Sequence, residues 1–186
     1  MSFNVVIPAR LNSSRLKEKV LIEIHGIPMV IHVAQRASLS GAKNIVIATD
    51  DKKIAEVASH YNFKSVMTNK NHLSGTDRCL EASDISMWSD QDIIVNVQAD
   101  EPLIDPALID LVAKNVTESE SGYVTACSEF KSYKEFINPN NVKVVLDNQS
   151  HALYFSRSSI PYSSSTDLSH NNYAYHHLGI YAYRLN

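Results

Sequence analysis

The sequence is poor in cysteine and in long apolar runs. Its two cysteines, Cys79 and Cys127, form neither a CxxC pair nor a disulfide framework, a pattern typical of proteins in a reducing compartment. No window approaches the roughly 18 apolar residues that a membrane helix requires. The N-terminus does not show the pattern of a signal peptide. We therefore expect a cytoplasmic protein without membrane insertion, in which both thiols are inert.

Glycine and net charge are scarce as well. Only five of the 186 residues are glycine, and the GxxxxGK[ST] phosphate loop is absent. The formal charge of −3 provides no bulk attraction to nucleic acid or to an anionic membrane. An anionic ligand would therefore have to be bound locally, by side chains as much as by backbone amides. With 44% hydrophobic and 20% charged residues, the composition is otherwise that of one soluble globular domain, with or without a small appendage.

The most informative stretch is Asp92 to Pro102, with the sequence DIIVNVQADEP. Its β-branched run predicts a buried strand of an α/β sheet, and this strand ends on two carboxylates and a proline. Ligands of open α/β sheets bind outside the carboxyl ends of the strands, so Asp100 is well placed to hold a hard cation that bridges phosphates. Alternatively, Asp100 and Glu101 only precede the helix that begins at Pro106.

Predicted strands and helices alternate in the first two thirds of the chain. Short apolar runs predict strands at residues 4–9, 44–49, 63–68 and 93–97. Helical spacing predicts intervening helices at residues 28–40, 52–61 and 106–116. This order favours a mostly parallel, Rossmann-like sheet with right-handed crossovers. After Gly122 the strand-like runs are separated by turns, which predicts an added antiparallel β region.

Two polar loops follow predicted strands of this core. The first, residues 10–19, concentrates cationic side chains and hydroxyls, a composition suited to a nucleotide triphosphate. The second, residues 69–78, combines Gly75 with hydroxyls and the planar guanidinium of Arg78, which suits a phosphate or a base edge. The alternatives are a solvated basic turn for the first loop and a simple helix cap at Thr76 for the second.

Eight motifs occur in one order with characteristic spacing. They are IPAR..SSR...K at 7–19, GIPM at 26–29, ATDD at 48–51, H.SGTDR at 72–78, VNVQADEP at 95–102, NPNNVKVV at 138–145, ALYFSRSSIPY at 152–162 and HLGIYAYR at 177–184. Together they resemble the 3-deoxy-manno-octulosonate cytidylyltransferase family, the CMP-Kdo synthetases of Gram-negative bacteria. The resemblance covers the chain essentially from Asn4 to Arg184.

This resemblance implies a reaction and a fold. CTP and Kdo would react to give CMP-Kdo and pyrophosphate in the presence of Mg²⁺, which supplies the activated sugar for lipopolysaccharide biosynthesis. The fold would be that of the nucleotide-diphospho-sugar transferases, with residues 1–121 as the nucleotide-binding core. Residues 122–186 would form a β-rich sugar-binding and dimerisation region of the same domain, and the protein would be a homodimer.

The resemblance also implies roles for individual residues. The triphosphate would be held by Arg10, Arg15 and Lys19, of which Arg10 and Lys19 also act in catalysis. The second wall of the nucleotide site would be formed by Ser74, Gly75 and Arg78. Asp100 would be both a catalytic residue and a Mg²⁺ ligand. The sugar would be bound by Gln98, Arg157, His177 and Tyr181, with the arginine taking its carboxylate. For His177 the alternative is a structural histidine in a strand.

The chain departs from the family pattern in three places. LKEKVL stands at residues 16–21 where the family has LPGKPL, so Glu18 replaces a glycine near the phosphates. Ala99 also replaces a glycine, which would cost about 1 kcal/mol if φ must be positive there. Finally, the chain ends at Asn186 without the late acidic segment that carries a second metal-binding aspartate. We therefore expect a truncated enzyme with apolar residues of the last strand left exposed, namely Ile180, Tyr181 and Tyr183.

These departures leave two further hypotheses open. One is an enzyme that activates another acidic sugar, such as a sialic acid or 8-amino-Kdo. The other is a catalytically silent domain that binds a nucleotide or a sugar.

Overall fold

The computed structural model describes residues 2–11, 16–162 and 174–185. The chain divides into two compact units, one comprising Met1–Val124 and Ile180–Asn186, the other Thr125–Gly179. No helix in the described part of the chain is long and apolar enough to cross a membrane.

The first unit alternates strands and helices as the sequence predicts. Its strands are β1 (Phe3–Ala9), β2 (Glu23–Ile24), β3 (Ile27–Pro28), β4 (Asn44–Thr49), β5 (Lys64–Met67) and β6 (Ile93–Asn96). Its helices are α1 (Met29–Ala37), α2 (Lys52–His60), α3 (Gly75–Ile85) and α4 (Pro106–Glu118). Strand β1 is central, since it pairs in parallel with both β4 and β6, and β5 continues the parallel sheet beyond β4. The mostly parallel α/β sheet that we predicted is therefore confirmed.

Side-chain caps mark the start of three helices of this unit, α2, α3 and α4. The carboxylate of Asp51 accepts a hydrogen bond from the backbone N–H of Lys53 at the start of α2. At the start of α4, the carboxylate of Asp105 accepts a hydrogen bond from the backbone N–H of Ala107, and Pro106 is the first helical residue. Helix α3 begins with a capping box centred on Ser74, so the alternative that Thr76 caps this helix is wrong.

The second unit contains mainly antiparallel strands. Its elements are β7 (Tyr123–Ser128, which begins in the first unit), α5 (Tyr133–Ile137), β8 (Lys143–Leu146), β9 (Ala152–Ser156) and the first part of β10 (Ala174–Arg184). Strand β8 pairs antiparallel with β9 on one side and with Ala174–His176 of β10 on the other. The added antiparallel β region is thus confirmed, whereas the short helix α5 was not anticipated.

The end of β10 returns to the first unit, where Tyr181 to Arg184 pair antiparallel with β6. Ile180 and Tyr183 are only 2% and 8% exposed, and Tyr183 stacks on the ring of Tyr123 with centroids 5.7 Å apart. The expectation that these two residues are left exposed is therefore wrong. Tyr183 packs in a core cluster that includes Ile94 and Cys79, and Tyr181 is half-buried.

Candidate active site

A cavity of about 110 Å³ lies in the first unit. It is lined by Pro8, Ala9, Arg10, His72, Ser74, Gly75, Arg78 and Gln98. These residues come from the end of β1, the segment that enters α3, and the segment that follows β6. Because the carboxyl ends of parallel neighbouring strands lie at one edge of a sheet, residues distant in sequence meet there. Five of the residues that we singled out from the sequence line this one cavity.

The start of α3 forms one wall of the cavity. Ser74 Oγ accepts a hydrogen bond from the backbone N–H of Asp77 at 3.1 Å, and the Asp77 carboxylate accepts one from the Ser74 N–H at 3.1 Å. A helix N-terminus carries a partial positive charge, which suits an anionic ligand. A Cβ on Gly75 would lie 3.2 Å from Pro8 Cγ and 3.8 Å from Gln98 Nε2, so glycine permits the close packing of this wall.

Arg78 also lines the cavity, although only 3% of its surface is exposed. Its Nη2 donates to Asp50 Oδ2 at 3.0 Å, and its Nη1 donates to the hydroxyl of Thr68. The guanidinium therefore links α3 to the segments that follow β4 and β5. Its charge is compensated by the carboxylate of Asp50. We did not single out Asp50 or Thr68 from the sequence, although Asp50 lies in the ATDD motif.

His72 is a further residue that sequence reasoning did not assign to the site. Its Nε2 is hydrogen-bonded to Glu81 Oε2, which also accepts the backbone N–H of Asn69 at 2.7 Å. Partial burial acts to raise the pKa of Glu81, but the hydrogen bonds from His72 and Asn69 outweigh it and lower that pKa. His72 is the first residue of the H.SGTDR motif, which is the signal that marks it.

Lys19 and Asp100 form an ion pair in which Nζ lies 2.6 Å from Oδ2. Lys19 opens a single turn of 3₁₀ helix, Lys19–Leu21, and Asp100 follows the end of β6. The side chains are 35% and 45% exposed, so both remain accessible to a ligand. Burial raises the pKa of the adjacent Glu101, and the charge of Asp100 raises it further.

The structure distinguishes the two glycine replacements. Glu18 has a left-handed backbone, with φ of +53° and ψ of +29°, and its carboxylate lies 3.3 Å from Lys53 Nζ. Glycine adopts that conformation without steric cost, so the glycine that the resemblance implies at this position would be unstrained. Ala99 does not have a positive φ, so its methyl group causes no left-handed strain. Only the replacement at residue 18 therefore strains the backbone.

The part of the chain that the structure describes contains no cluster of three or more His, Cys, Asp or Glu side chains suited to hold a metal ion. Magnesium is commonly bound by one or two carboxylates together with substrate phosphates and water, rather than by an all-protein cage. The accessible carboxylate of Asp100 fits a divalent ion of that kind. It does not by itself make a structural metal site.

The remaining predicted residues lie in different places. Arg157, in the second unit, is exposed, and its Nη1 donates to the carbonyl oxygens of Pro139 at 3.0 Å and Asn140 at 3.4 Å. Tyr181 belongs to the first unit, where its ring contacts that of Tyr123. Arg15 lies outside the described residues.

His177, also in the second unit, is buried. Its Nε2 lies 2.8 Å from Thr125 Oγ1, and its ring packs edge-on against Phe155 with centroids 4.8 Å apart. Burial lowers the pKa of His177, and the neighbouring His176 lowers it further. Both effects disfavour the protonated imidazole relative to a solvent-exposed histidine. These contacts are equally those of the structural histidine that we considered as an alternative.

In open α/β proteins, ligands such as nucleotides bind at the carboxyl ends of the parallel strands, which is where this cavity lies. A family model described as cytidylyltransferase matches residues 4–186. The 3-deoxy-manno-octulosonate cytidylyltransferase of Serratia proteamaculans is 45% identical over 99% of this chain and 76% of its own length. That of Neisseria meningitidis is 45% identical over 98% of this chain and 74% of its own length.

Solved structures agree with these relatives. A CMP:2-keto-3-deoxy-manno-octonic acid synthetase complexed with CTP superposes with a TM-score of 0.86 at 37% identity, covering 100% of this chain and 75% of that one. A cytidylyltransferase from Leptospira borgpetersenii gives a TM-score of 0.58 at 25% identity, covering 67% of this chain and 53% of that one. The chain belongs to the 3-deoxy-manno-octulosonate cytidylyltransferase family.

Proposed function

We propose that this chain transfers the cytidylyl group of CTP to Kdo, giving CMP-Kdo and pyrophosphate for lipopolysaccharide biosynthesis. The observation that carries this proposal is the cavity at the strand ends, where Arg10, the N-terminus of α3 and Gln98 meet. The family membership of the chain supports the same reaction.

Cytidylyl transfer requires little covalent chemistry from the protein. A hydroxyl oxygen of the sugar attacks the α-phosphorus of CTP, a new O–P bond forms, and the bond to pyrophosphate breaks in line with it. The hydroxyl proton is released to solvent. The protein therefore acts by positioning both reactants and by neutralising the triphosphate. We assign this neutralisation to Arg10, Arg15 and Lys19, assisted by the positive end of α3.

Asp100 would hold a Mg²⁺ ion that enters with the triphosphate. When bound, such an ion neutralises phosphate charge and lowers the pKa of the attacking hydroxyl, so no strong protein base is required. The ion pair makes Lys19 a neighbour of Asp100, so the same side chains would hold the phosphates and the ion. We assign both residues to catalysis on that basis.

For the sugar, we propose Arg157 as the partner of the carboxylate, with Gln98, His177 and Tyr181 contacting the hydroxyls. We further propose that residues 1–121 act as the nucleotide-binding core and residues 122–186 as the sugar-binding and dimerisation region. A cytoplasmic homodimer fits the scarcity of cysteine and the family resemblance.

Pyrophosphate release from CTP and Mg²⁺ tests the proposal. Kdo should support turnover, while sialic acid and 8-amino-Kdo should not, and EDTA should abolish the reaction. Turnover with sialic acid or 8-amino-Kdo in place of Kdo would favour the hypothesis of a different sugar. If no sugar is turned over while CTP still raises the melting temperature, the chain is a silent nucleotide-binding domain.

A further inference from the structure

The second unit contains a fully buried lysine, Lys143, at the start of β8. Its ammonium group donates three hydrogen bonds, all to backbone carbonyl oxygens: Asn138 at 2.8 Å, Asn141 at 2.9 Å and Arg157 at 3.0 Å. An ammonium has three N–H donors, so every donor of Lys143 is used. Within the described residues, no carboxylate pairs with it.

A buried cation of this kind is costly unless dipoles compensate it. Burial lowers the pKa of Lys143, and the nearby charge of Arg157 lowers it further. The compensation comes from the turn at residues 138–141, with the sequence NPNN. Two carbonyl oxygens of this turn, those of Asn138 and Asn141, point at the ammonium group. These hydrogen bonds hold the turn against Lys143.

The same turn also holds the Arg157 side chain. The carbonyl oxygens of Asn138 and Asn141 accept from Lys143, and those of Pro139 and Asn140 accept from Arg157 Nη1. Four successive carbonyl groups thus bind two cations. Lys143 in addition binds the carbonyl oxygen of Arg157 itself, so that it fixes both the backbone of Arg157 and the turn on which its guanidinium rests.

This arrangement leaves one edge of the guanidinium for a ligand. Nη1 is engaged with the turn, whereas Nε and Nη2 of Arg157 make no hydrogen bond to any residue in the described part of the chain. These two nitrogens form the edge that takes a carboxylate through two parallel hydrogen bonds. The orientation of that edge depends on where Nη1 is anchored.

We propose that Lys143 is a positioning residue for the acidic sugar: it holds the 138–141 turn and the Arg157 backbone so that the Nε–Nη2 edge of Arg157 faces the sugar carboxylate. This inference rests on the proposed function, because it takes Arg157 as the carboxylate partner. In this proposal Lys143 touches no substrate, yet it determines the affinity for Kdo.

Lys143→Met, which keeps the aliphatic length and removes all three donors, tests the inference in steady-state kinetics with CTP and Kdo. We expect KM for Kdo to rise roughly tenfold or more and KM for CTP to change less than about twofold. Lys143→Gln, which retains two donors, should lie between Lys143→Met and the unmodified chain. If circular dichroism shows that Lys143→Met is unfolded, Lys143→Gln is used in its place. Lys134→Met, an exposed lysine of the same unit, is the control and should leave both KM values unchanged.

A double-mutant cycle with Arg157→Ala separates positioning from general stability. Arg157→Ala alone should raise KM for Kdo, and Lys143→Met should add nothing further in that background. If Lys143→Met changes KM for Kdo by the same factor with and without Arg157, its effect does not act through Arg157 and the inference is overturned. If Arg157→Ala raises KM while Lys143→Met leaves it unchanged, the inference fails and the assignment of Arg157 stands. If Arg157→Ala has no effect on KM for Kdo, the assignment of Arg157 to the sugar carboxylate and the inference on Lys143 are both overturned.

Discussion

Lys19 Nζ lies 2.6 Å from Asp100 Oδ2, so the cation that we assign to the triphosphate is paired with the carboxylate that we assign to the metal ion. Because both side chains are about one third to one half exposed, solvent screens this pair and it contributes little to the stability of the fold. Each side chain is therefore available to a ligand at a small energetic cost. Substitution of Asp100 should therefore affect metal binding without removing Lys19 from the triphosphate.

Asp100→Asn should reduce Mg²⁺-dependent turnover by about two orders of magnitude or more, since it removes the proposed metal ligand. In EDTA, the same variant should bind CTP equally well or up to about fivefold more tightly, because Lys19 no longer pairs with a carboxylate. Turnover assays and isothermal titration calorimetry measure the two effects. Asp90→Asn, the same change on an exposed carboxylate before β6, is the control. A near-normal rate for Asp100→Asn would remove this residue from the metal site.

Glu18→Gly should improve CTP binding by a few fold, because it removes a negative charge from the loop that carries Lys19. The variant also relieves the left-handed strain at φ of +53°. That relief, about 1 kcal/mol, is partly offset by the greater flexibility of glycine in the unfolded chain. Glu18→Gln separates the two effects, since it removes the charge but keeps the Cβ. The charge explanation requires both variants to lower KM for CTP; a gain confined to Glu18→Gly would assign the effect to the backbone alone.

Gly75→Ala should raise KM for CTP roughly tenfold with little change in melting temperature, because the new methyl group meets Pro8 at 3.2 Å and displaces the cavity wall. Alanine itself is tolerated at the start of a helix, so global stability should be maintained. Gly41→Ala is a matched control: its Cβ would lie 3.3 Å from Asp110 Oδ1, with Phe3 as its next neighbour, and it lines no part of the cavity. Equal effects of the two substitutions on KM would contradict this account of Gly75.

Asp50→Ala should destabilise the fold by about 3 kcal/mol, because it leaves the guanidinium of Arg78 buried without its carboxylate. Urea denaturation of the variant and the unmodified chain gives this difference in the free energy of unfolding. The neighbouring Asp51 caps α2, and Asp51→Asn should change stability by less than about 0.5 kcal/mol because asparagine caps equally well. A similarly small change for Asp50→Ala would mean that Arg78 is compensated elsewhere.

The lowered pKa of His177 predicts a loss of stability in acid. In the unfolded chain, His177 has the ordinary histidine pKa of about 6.5. Above that pH, the contribution of the buried imidazole to the free energy of unfolding is fully present. This contribution is lost as the pH falls through the lower pKa of the folded state. The melting temperature between about pH 7 and pH 5 should therefore fall less steeply for His177→Gln than for the unmodified chain. His60→Gln, on an exposed position of α2, should leave the slope unchanged; identical slopes for His177→Gln would contradict the assignment.

The local patterns were sufficient to predict the elements and the edge of the sheet where the site lies. Hydrophobic periodicity depends on neighbours a few residues apart, and it located β1, β4, β6 and the main helices within a few residues. The order of those elements then favoured a parallel sheet, whose strand ends collect Arg10, Ser74 and Gln98 at one cavity.

Other features depend on contacts that no local pattern encodes. Only the tertiary structure shows that Ser74 rather than Thr76 caps α3, that Tyr123 covers Tyr183, and that Glu18 is left-handed. It alone pairs Lys19 with Asp100 across 81 residues of sequence. The sequence by itself determined which residue types stand at the strand ends and hence the class of ligand. The tertiary structure decided which of them contact each other, because those distances follow from the packing of segments that lie far apart in the chain.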